Sequence, residues 1–287
     1  MNDTLKTTML KLVFLLLFAL LAFGNASLAQ SENLKKCALE AEASVPDRAI
    51  DNCTAVIQSG ELSDHELAIA YYNRGFAFYS KRDYDGAIRD YDRAINIQPK
   101  YAPALVRRAH AHQEKRQYEG ALADYEEAAQ IDPKFAFERS KGFLFFYLGR
   151  MTQSAEMFER HIKSNPDDTR VMLFRYLVEA KIGNALAAAR DLEADAAKLE
   201  ERHWPAPIID FHLGRIDEKT MLAAANDPDP QLKNEKICTA NFHAGESRLF
   251  RGQVEAAVPL LRAAEKDCPS HFYESHGAST ELKRLGK

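Results

Sequence analysis

Residues 68–101 read AIAYYNRGFAFYSKRDYDGAIRDYDRAINIQPKY, and the same order of small, aromatic and proline residues returns in the two segments that follow. Four chemically different positions recur in step, at intervals of 34 and then 33 residues. The four rows are Gly75, Ala109 and Gly142; Ala87, Ala121 and Ser154; Tyr91, Tyr125 and Phe158; and Pro99, Pro133 and Pro166. A period of this length is typical of stacked supersecondary units, so it indicates a repeat protein.

Each repeat has the pattern of two antiparallel helices. Gly75 and Phe78 are three residues apart and share one helix face, and Ala87 and Tyr91, four apart, share the face of a second helix. The small Gly75 and Ala87 allow the helices to approach closely, and Pro99 ends the second helix because it lacks an N–H group. Since one hairpin cannot bury its apolar face alone, we expect several hairpins to stack.

These positions resemble the tetratricopeptide repeat (TPR). The first two units carry the resemblance through Gly75, Phe78, Gly86, Ala87, Tyr91, Ala94 and Pro99, and then Leu105, Ala109, Gly120, Ala121, Tyr125, Ala128 and Pro133. A third unit from residue 135 departs at one small position, which is His161, and a fourth from 169 is degenerate. The resemblance implies an all-α fold, a TPR solenoid of stacked antiparallel helical hairpins in a right-handed superhelix.

The repeat frame also predicts the organisation of the chain. Prolines 205 and 207 stop a helix beside Trp204, which we expect to pack an irregular corner, and Pro228 and Pro230 argue against another long helix nearby. The expected segments are a signal peptide at 1–29, an N-terminal helical hairpin at 30–66, three TPR repeats at 68–168, a degenerate TPR at 169–202, an irregular short-helix linker at 203–237, a C-terminal TPR at 238–271 and a capping helix at 272–287.

The N-terminal segment has the pattern of a secretory signal peptide. Lys6 and Lys11 precede the twelve apolar residues 12–23, and the small residues Ser27 and Ala29 suit a cut before Gln30. Twelve residues are too few for a helix that spans roughly 30 Å of hydrocarbon, although an uncleaved anchor stays an alternative. No cysteine follows at lipoprotein spacing, so we expect an exported protein of the bacterial periplasm without a lipid anchor and with no transmembrane segment in the mature chain.

The four cysteines of the chain fall at matched places in the repeat frame. Cys37 and Cys53 take repeat positions 8 and 24, and Cys238 and Cys268 take positions 1 and 31, so each pair lies symmetrically about the hairpin turn. This placement predicts two disulfides, Cys37–Cys53 and Cys238–Cys268, which an oxidising compartment permits. Four buried free thiols are the alternative. A zinc site is disfavoured, because the chain has no C-x-x-C motif.

No pattern in the chain indicates catalysis. The phosphate-binding loop, the H-E-x-x-H zinc motif and the G-x-S-x-G hydrolase motif are all absent from the sequence. His110 and His112 lie about 200° apart around a helix and cannot share a metal. The net charge of −4 argues against nucleic acid as a partner. We therefore expect no enzyme, no cofactor and no metal, and a protein or peptide as the partner.

The TPR resemblance implies a binding groove lined by the first helix of each hairpin. Its expected residues are Tyr72, Asn73 and Tyr79 from the first repeat; Arg107, His110 and Gln113 from the second; and Arg139, Phe146 and Tyr147 from the third. Aromatic rings beside two arginines suit an extended peptide with apolar side chains and a carboxylate. The alternative for each aromatic is packing between repeats, and it is favoured for Phe76 and Phe143, which adjoin the packing glycines.

The C-terminal part is similar to NlpI-type periplasmic TPR proteins. The matching residues are Trp204, Pro205, Ile209, Phe211, Leu213, Gly214, Asn241, Phe242, Gly245, Leu249, Gly252, Phe272 and Glu274. Members of that family are dimeric adaptors that bring cell-wall hydrolases to a PDZ-containing protease, but they carry a lipid-modified cysteine that this chain lacks. We expect a non-catalytic periplasmic adaptor and leave a homodimer open. A structural subunit of an envelope assembly, its groove filled by its own chain or a neighbour, is the alternative, as is an accessory subunit of a protease or wall hydrolase.

Overall fold

The computed structural model describes residues 34–38, 45–134, 137–199 and 203–287, and the predicted signal peptide lies outside these ranges. Within them the ordered elements are helices, and residues 34–38 are helical. The further helices are α1 Pro46–Gln58, α2 Asp64–Ser80, α3 Tyr84–Ile97, α4 Ala102–Glu114, α5 Tyr118–Ile131, α6 Glu138–Tyr147, α7 Met151–Ser164, α8 Thr169–Lys181, α9 Ala185–Ala196, α10 Ala206–His212, α11 Glu218–Ala224, α12 Pro230–Phe250, α13 Val254–Asp267 and α14 Tyr273–Arg284.

The chain forms two compact units. The first comprises the described residues up to Lys115 together with Glu126–Asp132, and the second comprises Arg116–Tyr125 with the described residues from Pro133 to Lys287. Helix α5 contributes to both. In the part of the chain that the structure describes, no helix is long and apolar enough to cross a membrane.

In the first unit, α2 and α3 pack closely because α2 carries a glycine at the point of contact. A Cβ atom on Gly75 would lie only 2.8 Å from Cε1 of Tyr91, whose side chain is fully buried. Arg74 adds a polar tie, since it donates to both carboxylate oxygens of Asp90, at 2.6 and 2.8 Å, and to Thr54 on α1 at 3.0 Å. The small residue that the repeat pattern requires is thus explained by contact with an aromatic ring.

The second unit repeats this contact twice. A Cβ atom on Gly142 of α6 would lie 2.5 Å from Cδ1 of Phe158 on α7, and one on Gly245 of α12 would lie 2.9 Å from the side chain of Leu261 on α13. The hydroxyl of Ser154 donates to the Gly142 carbonyl at 2.7 Å, which holds the α6–α7 hairpin further together. The α12–α13 pair is therefore built on the same small-residue contact as the earlier hairpins.

Both predicted disulfides form. Cys37 and Cys53 join the short helix at residues 34–38 to α1, with Cα atoms 4.9 Å apart. Cys238 on α12 joins Cys268, the residue after α13, with Cα atoms 5.1 Å apart. All four cysteines of the chain are accounted for in these two bonds. The alternative of four free thiols is therefore excluded.

One expectation about helix positions is wrong. From the prolines at 228 and 230 we expect no long helix nearby, yet α12 begins at Pro230 and continues for 21 residues to Phe250. Pro230 occupies the first turn, where a missing N–H is harmless and the fixed φ angle suits a helix. The Asp229 side chain caps the helix by accepting from the backbone N–H groups of Gln231 and Leu232, at 2.8 and 3.0 Å. The proline therefore starts the helix.

Candidate functional site

Helices α2 and α4 of the first unit carry six of the nine residues predicted to line a groove. Helix α2 begins with a capping box in which the Ser63 side chain accepts from the Glu66 backbone and the Glu66 side chain accepts from the Ser63 backbone. Helix α4 begins with a proline in its first turn. These caps define where each helix begins. The predicted residues on α2 are Tyr72, Asn73 and Tyr79, and those on α4 are Arg107, His110 and Gln113.

Arg107 is the cation of this face. Its guanidinium lies over the ring of Phe76, with Cζ 4.7 Å from the ring centroid, so α4 contacts α2 through a cation–π pair. Burial raises the pKa of Tyr79, the negative charge of Glu114 adds to that rise, and the positive charge of Arg107 opposes it. Among the described residues, no carboxylate forms an ion pair with Arg107. Its charge is therefore not neutralised by a described partner.

Asn73 supplies an unpaired amide on the same helix. Its side chain is 9% exposed, and its Nδ2 group has no hydrogen-bond partner within the described part of the chain. The hydroxyl of the fully buried Tyr91 also lacks a partner among those residues. A buried polar group without a partner costs about 1–3 kcal/mol, so such groups are uncommon unless a ligand or water satisfies them.

The remaining predicted residues in this unit are partly exposed. Tyr72 packs against Tyr91 and Tyr101, with ring centroids 6.0 and 5.4 Å apart. Tyr79 meets Tyr84 edge to face at 5.4 Å. Each of these tyrosines therefore packs against other aromatic rings and is also partly exposed. They combine the two roles that the sequence left open, which are contact with a ligand and packing between repeats.

His110 is a neutral side chain in this setting. Burial, together with the positive charge of Arg107, lowers its pKa to about 4. It therefore contributes hydrogen-bonding nitrogens without charge at neutral pH. Gln113, one turn further along α4, is partly exposed and adds an uncharged amide. These residues combine the Arg107 cation with uncharged side chains and aromatic rings, and the carboxylate of Glu114 lies near Tyr79 at the end of α4.

The three predicted residues of the third repeat are either buried or already bound to other side chains. Phe146 is fully buried and Tyr147 is 5% exposed. Arg139 donates to Asp168 at 2.8 Å and to the hydroxyl of Tyr273 at 2.7 Å, so its guanidinium already has a carboxylate partner. Phe146 and Tyr147 are therefore not open to a peptide, and Arg139, although its side chain is 35% exposed, is already paired with Asp168, which corrects the expectation for the third repeat.

Helix α14 is the physical reason for that correction. The ring of Tyr273 stacks on Phe143 with centroids 3.5 Å apart, and Tyr147 donates to the Tyr273 carbonyl at 3.1 Å. One turn later, His276 stacks on the Tyr147 ring at 5.4 Å. The capping helix of the chain therefore covers the aromatic face of α6. The sequence offered a signal for this in the aromatic residues at 272, 273 and 276, which the groove prediction did not use.

Among the described residues, no cluster of three or more His, Cys, Asp or Glu side chains could hold a metal ion. His161, which replaces a small residue of the repeat, lies 3.0 Å from the Asp168 carboxylate through Nε2. Asp168 also binds Arg139 and caps α8, so His161 belongs to a structural ion cluster.

The comparison with known families identifies the repeats. The family model described as "Tetratricopeptide repeat" matches residues 68–101 and 102–135, which are the first two units of the sequence period. Residues 68–135 are two tetratricopeptide repeats. The third unit from residue 135 lies outside that match, but its hairpin has the same glycine-to-aromatic contact.

Solved structures support the same fold. A tetratricopeptide repeat protein from Parabacteroides merdae ATCC 43184 is similar with a TM-score of 0.61 at 17% identity, over 88% of this chain and 98% of that one. MamA from AMB-1 is similar with a TM-score of 0.53 at 14% identity, over 60% of this chain and 92% of its own. At such identities these likenesses show the all-α repeat fold alone. The resemblance of the C-terminal part to NlpI-type proteins stays a prediction.

Proposed function

We propose that this TPR protein is a non-catalytic scaffold that binds a peptide segment of a partner protein on the face formed by α2 and α4. TPR arrays are protein-interaction scaffolds, and solenoids of this kind bind partners along extended surfaces. The observation that carries the proposal is the Arg107 guanidinium, which lies over the partly exposed ring of Phe76 without a carboxylate partner among the described residues.

The chemistry of this face selects for a particular kind of peptide. Arg107 provides a charge-assisted donor for a carboxylate. Tyr72 and Tyr79 provide partly exposed ring surface for an apolar side chain. An extended segment with an acidic group and an apolar group near it therefore fits the face. The face needs only two repeats, so the covered third repeat does not remove it.

The structural-subunit alternative has one observation in its favour. The chain's own helix α14 covers the aromatic face of α6, and the alternative predicts a groove that is occupied by the protein's own chain. The observation concerns the third repeat and leaves the α2–α4 face unaffected. We therefore keep the scaffold as the first proposal and place the structural role second.

For the compartment, we propose the bacterial periplasm. The two disulfides are compatible with an exported protein, because disulfides persist in oxidising compartments. The signal-peptide pattern before Gln30 supports export independently of the disulfides. A role beside a periplasmic protease or wall hydrolase, and a homodimer, rest on the NlpI resemblance alone.

A capture experiment with two matched variants tests the scaffold proposal. Arg107→Gln removes the unpaired cation, and Arg108→Gln removes its neighbour, which already forms an ion pair with Asp92 at 2.6 Å. We expect wild type and Arg108→Gln to capture the same proteins from a periplasmic extract. We expect Arg107→Gln to retain them about tenfold less well, the loss of one charge-assisted hydrogen bond. Equal capture by all three proteins would contradict the proposal.

A further inference from the structure

A cleft in the second unit lies apart from the residues used above. It has a volume of about 350 Å³ and lies among α8, α10 and the C-terminal end of α12. Its walls include the rings of Tyr176, Phe211 and Phe250, and its polar groups include His212 and Arg251. Pockets for small ligands have volumes of roughly 300–1,000 Å³, so this cleft is large enough for a small ligand, although its lining is slightly more polar than apolar.

Arg251 is the charged group of the cleft. It is exposed and lines the cleft together with Tyr176, and its positive charge opposes the rise that burial causes in the pKa of Tyr176. Among the described residues no carboxylate forms an ion pair with it. The acids closest along the rim are engaged elsewhere: Glu218 accepts from Arg248 at 2.8 and 3.1 Å, and Asp217 caps α11.

His212 provides a neutral polar group beside this cation. Burial lowers its pKa to about 3, so the ring is uncharged at neutral pH. Its Nε2 lies 3.0 Å from Nδ1 of His243, and no described residue hydrogen-bonds its other nitrogen, Nδ1. His243 is fully buried, and its own Nε2 has no partner in the described ranges. Each histidine of the pair therefore has one ring nitrogen without a hydrogen-bond partner among the described residues.

Exposed apolar side chains occur at the cleft and on the nearby α8–α9 turn. Phe250 is 40% exposed, and Ile182 and Leu186, on either side of the α8–α9 turn, are 40% and 85% exposed. The turn contributes Ala185 to the lining itself. Of these three side chains, only Phe250 lines the cleft itself, and there it offers exposed ring surface to an apolar group.

We propose that this cleft binds a small free carboxylic acid with an aromatic or branched apolar group. The carboxylate lies against the Arg251 guanidinium and accepts from the Nδ1–H of His212, whose Nε2 then accepts from His243. The apolar group lies between Tyr176, Phe211 and Phe250. The volume of 350 Å³ suits a single ring with its carboxylate, which is why a free acid is favoured over a longer chain. Because none of these residues belongs to the α2–α4 face, this site can stand or fail independently of the scaffold function.

The experiment uses 3-phenylpropionate as the probe and its neutral amide, 3-phenylpropanamide, as the matched ligand. Titration calorimetry and ligand-observed NMR on the mature protein are expected to give a dissociation constant on the order of 0.1–1 mM for the acid. The amide should bind about tenfold more weakly, since it cannot pair with Arg251. A tripeptide Gly-Gly-Phe with a free carboxylate should bind more weakly than the free acid. Equal binding of acid and amide, no binding of the acid, or tighter binding of the tripeptide would each overturn the proposal.

Three variants locate the binding site. Arg251→Gln should weaken binding of 3-phenylpropionate about tenfold, and Arg262→Gln, which removes an exposed charge from α13 outside the cleft lining, should leave it unchanged. Ala185→Trp fills the cleft from an exposed position at the start of α9, so it should abolish binding without unfolding the protein. Circular dichroism checks the fold of each variant. Wild-type affinity in Arg251→Gln or in Ala185→Trp would show that the acid binds elsewhere and would refute the assignment.

Discussion

Arg107 and Arg139 lie on the first helices of successive hairpins, and their neighbours give them different chemistry. Arg107 lies over the Phe76 ring without a described carboxylate partner, whereas Arg139 is held by Asp168 and by the hydroxyl of Tyr273. An arginine that already has a carboxylate gains little from a second one, because its charge is neutralised and its donors are directed. At the scale of single residues, partners decide which cation can recognise a ligand.

The buried histidine pair makes stability depend on pH. His212 has a folded-state pKa of about 3, lowered by burial, against about 6.5 in an unfolded chain. The stabilising effect of the neutral ring is therefore fully present above about pH 6.5 and is lost as the pH falls toward 3. Between about pH 7.5 and 5.5, the unfolded chain takes up a proton at His212 that the folded chain does not. Wild type should lose about 1.4 kcal/mol over this interval relative to a His212→Gln variant.

Urea unfolding of both proteins at the two pH values measures this difference directly. Taking the difference between wild type and variant cancels the contributions of the other titrating groups. Among these are Glu246 and Glu274, whose pKa values are raised by burial, so that they stabilise the folded chain as the pH falls. A difference that is the same at both pH values would contradict the burial of a neutral His212.

The sequence could predict which residues share a helix face but not which of them stay exposed. Helical spacing placed Tyr72, Asn73 and Arg107 on the first helices of their repeats. The burial of Phe146 and Tyr147 depends on α14, which follows more than 120 residues later in the chain. Contact between distant segments is not encoded in a local period. The orphaned amide of Asn73 is likewise visible only once its surroundings are known.

At the scale of elements, the hairpins depend on a glycine against an aromatic or leucine side chain and on covalent closure at two places. The cysteine bonds enclose segments with sequence separations of 16 and 30 residues. Because the repeat frame fixes which residues lie opposite each other in a hairpin, the pairing could be predicted from sequence. The start of α12 at Pro230 could not be predicted from the prolines alone, since a proline ends one helix and begins another according to its position.

Removing either disulfide should destabilise the hairpin that it closes. Loop-closure entropy gives about 3–4 kcal/mol for each bond, with the larger value for the longer loop. The variants Cys37→Ser/Cys53→Ser and Cys238→Ser/Cys268→Ser should each unfold at lower urea concentration than wild type. Reductant should lower the urea concentration at which wild type unfolds, and it should leave that of a variant with all four substitutions unchanged. Mass spectrometry of the unreduced wild type should find no free thiol, and a substantial free-thiol fraction would contradict both bonds.

At the scale of the whole molecule, the same type of hairpin serves two purposes in one chain. In the first unit the face of α2 and α4 carries a cation and an amide without described partners, while in the second unit α14 covers the face of α6. The sequence period predicted the all-α repeat fold, because the period arises from contacts inside each hairpin. It did not predict the division into two units, which depends on how hairpins pack beyond their own residues.

The central claim, that partners bind at the α2–α4 face, is tested most directly by photo-crosslinking. A benzoylphenylalanine at Gln113 places the reactive group on α4, and one at the exposed Arg89 places it on α3, the second helix of a hairpin, as a control. After irradiation in cells that export the protein, we predict a partner adduct at Gln113, a much weaker one when Arg107→Gln is added, and none at Arg89. An adduct at Arg89 but not at Gln113, or one at Gln113 that Arg107→Gln leaves unchanged, would contradict the account.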